Sequence, residues 1–370
     1  MSRTHLPFID WMKCLGMFVI VYGHVAAWSS DHLTPPIYPK QLGVAFFLFV
    51  LGFSLAREAR PTGEVLYNRL FDIFLFGITF ALVLSACTYV QTSWLEGSFA
   101  PRVSKFAASN YEPFVLGVNV VLDNFPANPT TWYIGTYLHV LLVWALVLRG
   151  IRVRPWMLLL VVLGEIGTRA ALMETRGLFV AYMLLTNWAT TFLLGTYFGQ
   201  RKEAPRPGGW LLPLGCALGL GLLVLGWPAA GNGLVKERSF PFMRLGAGSG
   251  AADLAVTAAA VSALYLLYTA LTYGLVRRLP DLAVVRFFAR NTLIIFIIHM
   301  PIFYWTRSFT LWAAPDPLAR VALRLVLCFL LPAVASELIY RVVRPRALRD
   351  KLRLLCLSPR PGRGLEKTTG

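Results

Sequence analysis

Lys13 and His24 lie eleven residues apart in an otherwise apolar stretch near the start of the chain, with Asp10 one turn before the lysine. At 3.6 residues per turn, eleven residues are close to three turns. The two side chains therefore share a helix face, about 16 Å apart along the axis. Asp10 is near enough to pair with Lys13. An imidazole can take a proton from a hydroxyl near neutral pH, and an ammonium group can neutralise developing negative charge. A structural account also exists for two of the three: Lys13 snorkels to the interface and Asp10 caps the helix. His24 has no such account, because it falls deep in the stretch.

Two further histidines reach a similar depth. His299 is about 13 residues into the apolar segment Arg286–Trp305, and His139 about seven into Trp132–Leu148, which runs the other way; at ~1.5 Å per residue all three fall near one layer. A layer of imidazoles suits a catalytic cavity or the axial ligands of a haem. For His139 a buried histidine bonded to its neighbours is the preferred reading. At the other end of the segments, Arg57, Arg60 and Arg69 surround the turn Pro61-Thr62-Gly63. Guanidinium forks bind phosphate bidentately, so these arginines could hold a phosphorylated donor, although membrane topology alone also calls for basic residues there.

The elements that must position these groups follow from composition. Of 370 residues, 57% are hydrophobic and only 14% charged, about half the charged share of a soluble domain. Mean hydropathy is +0.61, and apolar runs long enough to span a hydrocarbon core ~30 Å thick recur along the chain. This excludes an ordinary cytosolic enzyme, a disordered chain and a disulfide-stapled secreted domain. The expected fold class is all-α: a polytopic membrane protein of about ten transmembrane helices. The spans are Trp11–Trp28, Gln41–Ala56, Leu70–Val90, Trp132–Leu148, Pro155–Met173, Leu178–Gly199, Trp210–Trp227, Leu254–Val276, Arg286–Trp305 and Leu318–Val343. Glu165 and Arg169 make the fifth of these unusual, and the second is short.

The net charge of +17 is distributed in short clusters between spans and in the C-terminal segment, which points to membrane topology and to no nucleic-acid partner. The clusters fall on alternate connectors, so both termini are expected in the cytoplasm, N-in and C-in. The first apolar run carries Lys13 and His24 and does not read as a cleavable signal peptide. Residues 1–345 read as one membrane domain and 346–370 as a basic, disordered cytoplasmic tail; Arg341–Leu357, which crosses that boundary, rests on anionic membrane lipids, and Ser358–Gly370 is the Pro/Gly-rich disordered end. Longer external connectors include a short helix candidate at Val115–Phe125 and a Gly/Ala-rich stretch, Pro228–Asp253. The five cysteines form no CxxC or haem-attachment spacing, so no metal or haem is expected. No internal repeat is visible, which counts against inverted-repeat transporters.

The opening motif Phe8-Ile9-Asp10-Trp11-Met12-Lys13, with Val21-Tyr22-Gly23-His24-Val25 at the end of the run, resembles the first helix of the acyltransferase type 3 family. That family pattern is an Asp, an Arg, ten residues and a His. The likeness continues in Ala45-Phe46-Phe47-Leu48-Phe49-Val50-Leu51-Gly52-Phe53, in Arg69 at the start of the third span, in Thr131-Trp132-Tyr133-Ile134, and in Asn291 to Pro301 with His299 before the proline. It extends from Phe8 to about Pro345. Lys13 stands where the family has Arg and lacks the bidentate fork. Thr136 and Tyr137 stand where many members carry a Glu, and Arg344-Pro345 where many have Glu-Pro.

The resemblance implies an acyltransferase, transferring groups other than aminoacyl groups, in the cell's inner (plasma) membrane. An acetyl or succinyl group would pass from cytoplasmic acyl-CoA (acetyl-CoA or succinyl-CoA) to a hydroxyl of a glycan or lipid-linked sugar acceptor, as in polysaccharide O-acetylation at the cell envelope. His24 would be the general base, or form an acyl-histidine; Lys13 and Asp10 would assist; His299 would orient the acceptor or His24; and Arg57, Arg60 and Arg69 would hold the coenzyme's phosphates. Two rivals are a transporter or flippase of a glycan or anionic substrate, and a haem protein using two of the histidines.

Overall fold

Proline opens helix after helix in this chain, where its missing N–H would have had no partner and its fixed φ already suits the helix. A computed structural model of the protein describes residues 5–27, 39–90, 132–201 and 250–357. In chain order the helices are α1 (Pro7–Ala27), α2 (Pro39–Ala56), α3 (Thr62–Val90), α4 (Trp132–Leu146), α5 (Pro155–Thr175), α6 (Leu178–Met183), α7 (Ala189–Gln200), α8 (Ala251–Val276), α9 (Ala283–Ala313), α10 (Pro317–Leu325), α11 (Leu331–Val343) and α12 (Pro345–Leu357). Among the described residues there is no strand. By length and composition, α1, α5, α8, α9 and the run Pro317–Leu354 can cross a membrane. The expected span Trp210–Trp227, the candidate helix Val115–Phe125 and most of Pro228–Asp253 lie outside the described residues.

One end of the bundle is tied together by side chains. Phe8 of α1 packs edge-on against Phe53 at the end of α2, centroids 5.0 Å apart, and against Tyr273 near the end of α8 at 5.3 Å. The Trp11 indole donates to the Pro280 carbonyl in the α8–α9 turn at 2.9 Å. Arg149, just after α4, donates to the Thr62 hydroxyl and to the Arg60 carbonyl, closing the α2–α3 turn. The Gln200 amide ends α7 by bracketing the segment before α5, accepting from Val153 N–H and donating to the Ile151 carbonyl, both at 2.8 Å. The helices joined at this end, α2 to α3, α4 to α5 and α8 to α9, therefore run in opposite directions within each pair.

Within this frame α2 and α7 approach backbone to backbone. A Cβ on Gly52 would collide with the Phe192 carbonyl, and one on Gly195 with the Phe49 carbonyl. Small residues at such a contact are what allows close van der Waals packing where lipid removes the hydrophobic drive between helices.

Two expectations need correction. The sixth segment, expected as one helix over Leu178–Gly199, is broken: α6 ends at Met183, a 3-10 turn covers Leu185–Asn187, and α7 begins at Ala189. The tail expected to be disordered from 346 instead continues as α12 to Leu357. Its start is a sharp turn at Arg344, a non-glycine residue at φ 46°, and two contacts hold the helix against α3. The Tyr67 hydroxyl donates to the Arg349 carbonyl at 3.0 Å, and Arg353 pairs with Glu64 at 3.1 Å. Basic residues that repel one another in isolation thus gain a carboxylate and a packing surface.

The break explains the charges that made the fifth segment unusual. Glu165 and Arg169, one turn apart on α5 and each 3% exposed, form an ion pair at 3.0 Å. The Glu165 carboxylate also accepts from the Thr190 N–H at the start of α7, at 2.9 Å, and from the Ser262 hydroxyl at 2.8 Å. Arg169 donates to the Asn187 side chain and carbonyl, the Ala258 carbonyl and the Ser262 hydroxyl. Irregular backbone at membrane depth is tolerated only where its polar groups are satisfied, and this pair satisfies two of them, the Asn187 carbonyl and the Thr190 N–H.

Candidate active site

His24 and His299, 275 residues apart in sequence, face each other with ring centroids 5.4 Å apart and planes inclined at 47°. α1 and α9 pack side by side, and each presents its histidine to the other. His299 is 1% exposed. Its Nδ1 lies 3.0 Å from the carbonyl oxygens of both Ile295 and Phe296. Carbonyls only accept, so Nδ1 carries the hydrogen and, in the neutral ring, the lone pair sits on Nε2. Among the described residues that Nε2 is buried with no hydrogen-bond partner. Pro301, two residues on, lacks an N–H and so interrupts the helix ladder next to the pair. An imidazole held in one tautomer with a buried, unpartnered lone pair can accept a proton or orient a neighbouring imidazole. His139 is half-buried on α4.

Toward the tied end of the bundle, α1 presents Lys13. Its expected partner is taken elsewhere: the Asp10 carboxylate binds His5 Nε2 at 2.7 Å, and His5 in turn lies 3.6 Å from Asp281. Lys13 instead sits between the attraction of Asp10 and the repulsion of Arg69 on α3. Arg69 lies beside Tyr137 of α4, near enough for its charge to act on the hydroxyl. Two cations in mutual reach, facing a tyrosine, make a pocket suited to a multiply charged anion.

The three arginines expected to act together do not converge. Arg57 is exposed and lies over the Phe53 ring at 5.5 Å. Arg60 has its fork filled by Glu58, with Nε donating at 3.0 Å and Nη2 at 2.8 Å. Those hydrogen bonds raise its pKa further above the ordinary guanidinium value. Of the three, Arg69 is the one near enough to Lys13 to repel it.

Aromatic rings join the cation pocket to the histidines. Tyr137 contacts Tyr133 (6.1 Å), Tyr133 contacts Phe296 (5.4 Å), and Phe296 contacts His299 (6.2 Å). Tyr133 and Tyr137 are residues of this wall that reasoning from the sequence did not single out as functional. Their i, i+4 spacing on α4 was the available signal.

A family model described as an acyltransferase domain matches residues 6–337, nearly the whole chain. No curated protein and no solved structure matches it.

Proposed function

The chain belongs to that acyltransferase family, and on this premise we propose that it is an integral membrane O-acyltransferase moving an acetyl or succinyl group from acyl-CoA to a hydroxyl of a glycan or lipid-linked sugar. In this reading the chain crosses the inner membrane ten times with both termini in the cytoplasm, so the tied end of the bundle faces the donor. The observation that carries the proposal is the His24–His299 pair, set about 16 Å along α1 from the cations that suit a phosphorylated donor.

The chemistry balances without further groups. The acceptor hydroxyl oxygen attacks the thioester carbonyl carbon, and its proton passes to the neutral imidazole of His24. The tetrahedral intermediate collapses, the C–S bond breaks, and the proton passes from His24 to the departing coenzyme A thiolate. His299, with Nδ1–H anchored on two carbonyls, offers its Nε2 lone pair to keep the His24 ring or the acceptor hydroxyl in register. Lys13 and Arg69 hold donor phosphates, while Arg57 and Arg60 are left to shape the rim. Asp10, bound to His5, lies one turn from Lys13 on α1 and acts indirectly, as a negative charge beside the pocket.

A transporter or flippase is the second reading, favoured by the broken α6–α7 segment, since discontinuous helices often build transport sites. Here the break is occupied by Glu165 and Arg169, which supports a structural role for it.

The test is thiol release from acetyl-CoA and succinyl-CoA by purified protein in detergent, wild type beside His24→Ala. The proposal expects slow turnover of at least one donor, lost by about 10²–10⁴-fold in the folded variant. Turnover unchanged in His24→Ala, or none in the wild type with acceptors present, overturns it.

A further inference from the structure

At the end of the bundle away from Lys13, α9 and α10 gather three arginines that donor chemistry does not use. Arg324 on α10 is 1% exposed, with its guanidinium 5.0 Å from the centre of the Phe303 ring and its Nε donating to the Thr310 hydroxyl at 3.0 Å. Arg320 and Arg307 lie close enough to repel it. Arg320 reaches back to the carbonyls of Ala314 (3.0 Å) and Pro315 (2.6 Å). Asp316 accepts from the Ala319 N–H and caps α10. Positive-inside topology does not account for arginines at this end.

Position narrows what the corner is for. Trp305, Phe309 and Trp312 project from the same stretch of α9, with Trp312 81% exposed, which is the aromatic girdle of a membrane–water boundary. Phe303 is one turn of α9 beyond His299, about 6 Å along the axis, and Thr310 is about 16 Å beyond it. Arg324 bridges those two levels. A phosphate held there would stand at headgroup depth, with its attached sugar directed down to the histidine pair.

We infer that Arg324, with Arg320 and Arg307, forms a phosphate-binding subsite for a lipid-linked sugar phosphate, so that the acceptor is held from the boundary while its hydroxyl reaches His24 and His299. This rests on the acyltransferase reading only for the word acceptor. The binding itself can be measured without any acyl donor. Guanidinium forks fit phosphate oxygens, and Arg324 is already desolvated and stacked, so little order is lost on binding.

The experiment is native mass spectrometry of the full-length protein in detergent, titrated separately with a polyprenyl phosphate, with phosphatidylglycerol and with inorganic phosphate. The subsite predicts that polyprenyl phosphate binds the wild type and that Arg324→Gln weakens it about tenfold or more. Arg320→Gln, at a half-buried position that is easier to accommodate, should weaken it in the same direction, and Arg324→Lys should restore part of the affinity. Phosphatidylglycerol binding should change by less than a factor of two. If phosphatidylglycerol is lost in parallel, the corner is a general headgroup site and the acceptor assignment falls. Unchanged polyprenyl phosphate binding in both glutamine variants overturns the subsite altogether. Failure of acyl transfer in the wild type, with arginine-dependent binding intact, overturns the acyltransferase reading and leaves the subsite standing.

Discussion

The buried ion pair Glu165–Arg169 and the buried histidine His299 differ in how completely their own hydrogen bonds are made. All five N–H groups of Arg169 have partners, and both oxygens of Glu165 accept. At the histidine pair, His299 has one nitrogen anchored twice and the other without a partner among the described residues. The charges of Glu165 and Arg169 form a closed network that specifies geometry, here the break between α6 and α7, although Asn187 Nδ2 and Thr190 Oγ1 beside them make no hydrogen bond among the described residues. A buried lone pair lowers stability unless something arrives to use it. The difference separates a device of folding from a device of chemistry, although both were conspicuous for the same reason, polar residues where they are expensive.

Breaking the closed network has the largest expected effect. Removing one partner of a buried, hydrogen-bonded ion pair strands the other charge, so Arg169→Ala should lower stability by about 3–5 kcal/mol. Thermal unfolding in detergent measures it, and acyl transfer per folded molecule should stay near wild type. A loss of activity without a loss of stability would reverse the assignment.

The histidine pair should answer in the opposite sense. His299→Phe puts a somewhat larger apolar ring in place of the imidazole; it removes the buried Nε2 that has no partner among the described residues, and the Nδ1–H bonds it gives up go to carbonyls that lie within the helix ladder. Stability should therefore hold or rise, while turnover falls by about a hundredfold, the lower range for a proton-handling group. Unfolding and thiol release measured on one preparation give both numbers. A smaller effect is expected at the cation pocket: Lys13→Ala should raise the donor KM about tenfold, the loss of one charge-assisted contact, with kcat changed much less. Lys13→Arg should keep the low KM. An unchanged KM in Lys13→Ala would separate the pocket from the donor.

Much of this could be read before the fold was known. The eleven-residue spacing of Lys13 and His24 is a property of one helix, and the depth of His299 follows from counting residues along another, so their meeting was accessible in outline. The charges at Glu165 and Arg169 were visible as anomalies, but their partners were not: Asn187 and Ser262 lie 18 and 93 residues from Arg169 in sequence. Helical spacing also misled at two places. Asp10 lies one turn from Lys13, yet His5 captures it from the segment before the helix. Arg60 looked available for phosphate, but Glu58, two residues earlier in a non-helical turn, closes its fork. The Arg324 corner was hidden because its members come from two helices and because its contacts include a threonine and an aromatic ring, which carry no signal in the sequence.

The most direct test of the account is a double-mutant cycle on the pair, with thiol release measured for the wild type, His24→Ala, His299→Phe and the double variant, all verified as folded. If the two rings act as one unit, the double variant should be about as slow as His24→Ala alone, as groups in a shared catalytic constellation are strongly non-additive. Losses that multiply, so that the double variant is slower than His24→Ala by the full factor lost in His299→Phe, would show two independent residues and contradict the pairing on which the account rests.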